Sequence, residues 1–260
     1  MEHLEIFEAF NRKNKKKDIH EICREHGISN YTINNDGSID AIGNVILTNT
    51  TLGKLPLKFN NISGDFSCYN NGLTSLKGSP KNVRGDFYCF NNILTSLEGC
   101  PEHINGTFDC SDNQLATLEG CPNNIGDSFF CSNNLLTSLK GCPKIIPGVF
   151  SCYTNKLTSL EGCPENISGN FCCHNNKIKS FENLPKHIGG EFCCNENPIH
   201  HIWKLFEDKS KIELFNDMDI IQDDTIIIDR LNYFLEEIGK PTVKPVGTCD
   251  EFALVGYKYI

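Results

Sequence analysis

The chain is predicted to fold as an α/β repeat solenoid, because three kinds of side chain recur at one fixed step along most of its 260 residues. Asn71, Asn92, Asn113, Asn134, Asn155, Asn176 and Asn197 lie 21 residues apart. Phe66, Phe87, Phe108, Phe129, Phe150, Phe171 and Phe192 stand five residues earlier, and Cys68, Cys89, Cys110, Cys131, Cys152, Cys173 and Cys194 three earlier. Leu73, Leu94, Leu115, Leu136, Leu157, Ile178 and Ile199 follow two residues after the asparagines, with Leu76, Leu97, Leu118, Leu139, Leu160, Phe181 and Ile202 three further on.

Each column has a physical reason. Phe and Cys, two residues apart, point to one side of a short strand, and their neighbours point to the other. A strand this short cannot bury its apolar side alone. Stacked at about 4.8 Å, such strands form a parallel sheet with a continuous core. The chain then leaves the sheet at the asparagine, whose amide is placed to satisfy turn backbone that would otherwise cost about 1–3 kcal/mol per unpaired group. The leucines close the floor of the coil. Gly and Pro, as at Gly99 and Pro101 or Gly162 and Pro164, break regular structure and return the chain to the next strand.

The unit, Phe-x-Cys-x-x-Asn-x-Leu-x-x-Leu and usually Gly-Cys-Pro, matches the leucine-rich-repeat pattern, whose period is about 20–29 residues. So short a coil leaves no room for a helix on its convex side, which is expected to be extended or 3₁₀. Asn155-Lys156-Leu157-Thr158-Ser159-Leu160 resembles the short repeats of bacterial secreted effectors. Leu94 to Pro101 and Leu157 to Pro164 both read LTSLEGCP. With the opening segment Tyr31 to Asp40, they more closely resemble uncharacterised leucine-rich-repeat proteins of giant DNA viruses and tailed phages. That resemblance covers nearly the whole chain and implies fold and origin rather than an activity. The effectors carry a ubiquitin-ligase domain with a Cys-x-Asp motif in a large helical domain, and that likeness fails here, since the tail is short and offers only Cys249-Asp250-Glu251.

Composition narrows the function classes. A formal charge of −9 and a pI near 5.4 disfavour non-specific binding to phosphate backbones, so no nucleic-acid partner is expected. No apolar run approaches the ~18 residues of a membrane span. The start, Met1-Glu2-His3-Leu4-Glu5, lacks a basic-then-apolar leader, so a cytoplasmic chain without membrane contact is expected. Most of the fifteen cysteines fall in two columns, the strand set and Cys100, Cys121, Cys142 and Cys163 in the return turn. Ser79 and Leu184 take equivalent turn places, which suits a small packing position better than a covalent partner.

Three regions are expected. Residues 1–40 hold a helical segment and hairpin cap. There, Leu4, Phe7 and Phe10 and then Ile19, Ile22, Cys23 and His26 follow helical spacing. Between them lies the basic cluster Arg12, Lys13, Lys15, Lys16 and Lys17, read as a solvated face or linker. Asn35-Asp36-Gly37 marks a turn between two short strands. Residues 41–202 hold one degenerate coil, carrying Gly43, Val45, Leu47, Leu52 and Leu55, and seven full ones. Residues 203–260 form a helical cap, with an amphipathic segment from Ile212 to Ile221 and a helix from Thr225 to Ile238 begun by Asp223 or Asp224.

The candidate site is the concave face of the sheet, where residues vary between coils while the core columns do not. One column reads Ser67, Tyr88, Asp109, Phe130, Ser151, Cys172, Cys193, and the next Tyr69, Phe90, Ser111, Ser132, Tyr153, His174, Asn195. Tyr69, Tyr88, Phe90, Asp109, Phe130, Tyr153 and His174 are the candidate partner-binding residues, since exposed aromatics mark contact surfaces. The competing reading is that these aromatics only pair across the ladder, for about 0.2–1 kcal/mol per pair. Cys172, Cys193 and His174 invite a metal or redox reading, but a fourth metal ligand is not evident. No phosphate loop, zinc-protease helix or nucleophile elbow is present, so no catalytic residue, cofactor or metal is assigned. The expectation is a non-enzymatic module holding a protein partner. The alternatives are a host-modulating protein that recruits its partner by the helical ends, and a ligase-like effector using Cys249.

Overall fold

The computed structural model describes residues 18–48, 51–243 and 257–259. They form a parallel β-solenoid of about seven turns. Each 21-residue turn contributes two strands, not one. The first sheet has eight strands in coil order, Val45–Ile46, Phe66–Ser67, Phe87–Tyr88, Phe108–Asp109, Phe129–Phe130, Phe150–Ser151, Phe171–Cys172 and Phe192–Cys193. Its members pair in register, Phe on Phe, as in Phe87↔Phe108 and Phe129↔Phe150. This is the phenylalanine sheet.

The second sheet lies on the extended side of the coil and has its own column, Ile62, Val83, Ile104, Ile125, Ile146, Ile167 and Ile188, all buried. Its strands, such as Asn82–Val83, His103–Ile104 and Asn166–Ile167, also stack in parallel register. This isoleucine sheet opens with the antiparallel hairpin Tyr31–Ile33 and Ile39–Ala41, turning at Asn35-Asp36-Gly37. It is interrupted once, between Asn124–Ile125 and Ile145–Ile146. Elsewhere the residue after the isoleucine donates its N–H to the preceding coil, as Asn105 does to Val83 O at 3.0 Å and Ser168 to Ile146 O at 3.0 Å. At the interruption that residue is Pro147, which has no N–H to give.

Coils are joined by the asparagine amides. Asn113 Oδ1 accepts the N–H of Leu94 at 2.9 Å, while its Nδ2 donates to Cys89 O and Cys110 O at 3.1 Å each. Asn92, Asn134, Asn155, Asn176 and Asn197 repeat the arrangement. The residue before each asparagine is left-handed: Asn70, Asn91, Asp112, Asn133, Thr154, Asn175 and Glu196 have φ of 51° to 57°. Asn and Asp tolerate that region, whereas a β-branched residue such as Thr154 is strained there.

The corner between the sheets is capped by side chains from the preceding coil. Asp65 Oδ1 accepts the N–H of Asp86 at 2.9 Å, and Asp86 Oδ1 that of Thr107 at 2.7 Å. Gly85 and Gly106 make room for this, because a Cβ at either would run into the carboxylate of Asp65 or Asp86.

Helix α1, Ile19–Glu25, starts in a capping box of Asp18 and Glu21. Leu4, Phe7, Phe10 and the basic cluster lie outside the described residues. After the last coil, α2 spans Pro198–Phe206 and buries Ile199, Ile202 and Phe206. Trp203 meets Phe192 edge-on at 5.2 Å, so the phenylalanine stack runs into this segment. Helix α3, Ile212–Asp217, and helix α4, Ile228–Glu237, bring Phe215 and Phe234 onto Phe206.

The helix expected from Thr225 begins later. Thr225–Ile226 instead pairs antiparallel with Ile221–Gln222 across a turn at Asp223-Asp224, Asp223 having φ 53°. The β-branched run Thr225-Ile226-Ile227 favours extended backbone, and the two aspartates form the turn rather than a helix cap.

Asn113→Ala should lower stability by about 2–4 kcal/mol, since the buried N–H of Leu94 loses its partner at about 1–3 kcal/mol, while Cys89 O and Cys110 O each keep only the bond from Asn92 or Asn134. Thr154→Asn should raise it by about 1 kcal/mol by relieving the left-handed cost. Equilibrium denaturation of the two variants against the parent chain checks both signs.

Candidate functional site

All seven candidate residues lie on the outward side of the phenylalanine sheet, and each is half-buried. Strand alternation puts them there, because Phe and Cys on either side point inward and are buried. Tyr88, Asp109 and Phe130 share one column, while Tyr69, Phe90, Tyr153 and His174 share the next.

The face divides into three parts. At one end Tyr69 and Phe90 stack at 4.3 Å with rings 10° apart, and Tyr88 meets Phe90 edge-on at 6.3 Å. The Tyr88 hydroxyl donates to Asp86 Oδ2 at 2.7 Å, and burial together with that carboxylate raises its pKa above the usual phenol value. At the other end Tyr153 and His174 stack at 4.5 Å and 9°. Nδ1 of His174 is buried there without a hydrogen-bond partner among the described residues.

Between them lie Asp109, Ser111, Phe130, Ser132 and Ser151. Asp109 Oδ1 accepts the Ser111 N–H at 2.9 Å, and the Ser132 and Ser151 hydroxyls share a hydrogen bond of 2.9 Å. Among the described residues Phe130 has no ring partner. The structure therefore brings Tyr69, Tyr88 and Phe90 into one cluster and Tyr153 and His174 into another. Asp109 and Phe130 belong to neither.

Burial raises the Asp109 carboxyl above its ordinary value, and the charge of Asp112 adds to this. Cys172 and Cys193 pair directly across adjacent strands beside the second cluster. Among the described residues no three His, Cys, Asp or Glu side chains are grouped to hold a metal ion. Cys249 lies outside those residues. Among them, too, no helix is long and apolar enough to cross a membrane.

Two clefts were not singled out by the sequence. One, of about 660 Å³, lies between the last coil and α3 and is lined by Phe181, Leu184, His187, Lys209, Ile212 and Asn216. The other, also about 660 Å³, runs along Phe59, Lys77, Ser79, Lys81, Glu98 and Cys100. The buried Ser79 hydroxyl in it has no hydrogen-bond partner among the described residues. The signal for Ser79 was present as the one serine in a column of turn cysteines. The cleft beside α3 depends on helix packing, which leaves no periodic trace.

No protein-family model, no curated protein and no solved structure matches the chain.

Asp109 is a carboxyl with a raised folded-state pKa, so the folded state holds its proton more tightly than the unfolded one. Its contribution to stability is lost as pH rises from the unfolded value, about 4, through the folded value. Asp109→Ser, matching Ser67 and Ser151 in the same column, should raise stability at pH 7. The gain should shrink as the pH falls through the folded value toward about 4 and be absent below it, as followed by chemical denaturation across that range.

Proposed function

We propose that the chain is a non-enzymatic binding module of the leucine-rich-repeat kind, holding a protein partner on the outward face of its phenylalanine sheet. A viral or phage origin, with action in the host cytoplasm, is the setting its resemblance implies. One observation carries this reading. The inward columns repeat Phe and Cys coil after coil, while the outward columns change and keep Tyr69, Tyr88, Phe90, Phe130 and Tyr153 half-exposed. Packing fixes the first set and leaves the second free for a partner to select. Amphipathic aromatic groups are the side chains that dominate protein contacts. Three coil steps of ~4.8 Å separate Phe90 from Tyr153 and about five span the whole from Tyr69 to His174, so the two aromatic clusters suit an extended or flat protein surface better than a small molecule.

A second reading places the partner on the helical ends. Tyr233 on α4 and Leu214 on α3 favour it, being 58% and 38% exposed.

Affinity purification from cells, comparing the parent chain with a folded Tyr88→Ala, Phe130→Ala, Tyr153→Ala variant, separates the two. Loss of a bound protein from the variant alone is the expected result. Retention of every bound protein would move the partner to the helices, to be checked with Tyr233→Ala.

A further inference from the structure

Two thiols depart from the inward cysteine pattern. Cys172 and Cys193 occupy the outward position, opposite each other in register on adjacent parallel strands, and both are half-buried. Their sequence neighbours Cys173 and Cys194 lie inside the core. The same outward column carries Ser67 and Ser151 in other coils, so packing does not require sulfur at that position. Adjacent parallel strands hold paired Cα atoms about 4.8 Å apart, within the ~4.4–6.8 Å range that a disulfide spans.

We propose that Cys172 and Cys193 form a redox-reversible dithiol, which closes to a cross-coil disulfide by exchange with a small-molecule disulfide of the glutathione class. The thiolate of one cysteine attacks a sulfur of the reagent, whose S–S bond breaks, and the departing thiolate takes up a proton. The second cysteine, once deprotonated, attacks the protein sulfur of the mixed disulfide and expels the remaining reagent thiol. Two protein thiols are oxidised, and one reagent disulfide is reduced to two thiols. The new bond links the coil of Phe171 to that of Phe192, whose strand is the edge of the phenylalanine sheet.

Selectivity follows from burial. Cys89, Cys110, Cys131, Cys152 and Cys173 lie inside the coil, where desolvation holds their pKa far above the ordinary thiol value. Burial, and then the adjacent Cys193, push Cys172 up to about 11, which slows exchange at neutral pH and makes it faster in alkali. A less acidic thiol also favours the disulfide over the separated thiolates.

The test uses the full chain with Cys249→Ser. The native protein is exposed to glutathione disulfide, alkylated and mapped without reduction. A Cys172–Cys193 cross-link is expected that dithiothreitol reverses and that raises the thermal midpoint, because it constrains the unfolded chain. Cys172→Ser should keep the reduced midpoint and show neither cross-link nor rise, and Cys193→Ser serves if that variant does not fold. A glutathione adduct that never resolves would overturn the proposal. So would both thiols staying free where free dithiothreitol is oxidised, or a cross-link that forms only in denaturant.

Discussion

The amide ladder of the seven asparagines is the interaction on which the other features depend. Each side chain bonds its own coil and the coil before it, so it fixes the turn and the stacking together. Asn113 receives the N–H of Leu94 and gives its own hydrogens to the carbonyls of Cys89 and Cys110. Those carbonyls belong to the cysteine column, so the backbone there must be held in a constant place. Small buried thiols beside it let the amide approach, and burial makes them inert rather than reactive. The phenylalanine rings then stack in the remaining width at 5.2 to 5.7 Å, from Phe66 to Phe192. A coil one residue longer would lose the amide register, which is why the step does not vary across these coils.

What the sequence made legible is what packing holds constant. The asparagine, phenylalanine, cysteine and leucine columns could be read because the same buried position returns in every coil. The isoleucine sheet was equally periodic, from Ile62 through Val83 to Ile188, but from Asn82–Val83 onward each of its strands is only two residues long. Preceded by Asn or His everywhere except at Ile145–Ile146, that β-branched residue resembles a loop more than a strand, and no alternation is long enough to show. The left-handed column was visible too, as Asn or Asp before the main asparagine, with Thr154 and Glu196 as exceptions. The outward positions of the candidate residues followed from strand alternation, whereas their grouping did not. Whether Phe90 turns toward Tyr69 or Phe130 stays apart depends on rotamers and neighbours that spacing does not encode. At the C-terminal end no repeat remains to average over, and the β-branched stretch at Thr225 outweighed the amphipathic helix pattern.

The two sheets carry unequal loads. The phenylalanine sheet runs unbroken through all eight of its strands, while the isoleucine sheet divides at Pro147. The coils on either side of that seam are joined by the continuous sheet and by the amides of Asn134 and Asn155, but lack the ladder bond opposite. At its far end the isoleucine sheet meets a different problem, because its last strand, His187–Ile188, has no following coil. Lys209 answers it by donating from Nζ to Ile188 O and Gly190 O at 2.8 Å each. A charged side chain on an edge supplies partners to carbonyls that would otherwise invite another strand.

This division bears on where recognition can reside. The residues that differ from coil to coil project from the unbroken sheet, directly outside the constant rings and amides. Their replacement leaves the inward columns and the ladder bonds intact, because alternation sends the two sets to opposite sides. Variation on that face therefore costs little stability and changes mainly what the face can contact. The isoleucine sheet offers no comparable freedom, because its outward residues include the Asn61 and Asn82 pair, whose amides hydrogen-bond coil to coil at 2.8 Å. A solenoid of this construction carries its stability in repeated inward contacts and leaves one face chemically adjustable, and that face is where the two aromatic clusters stand.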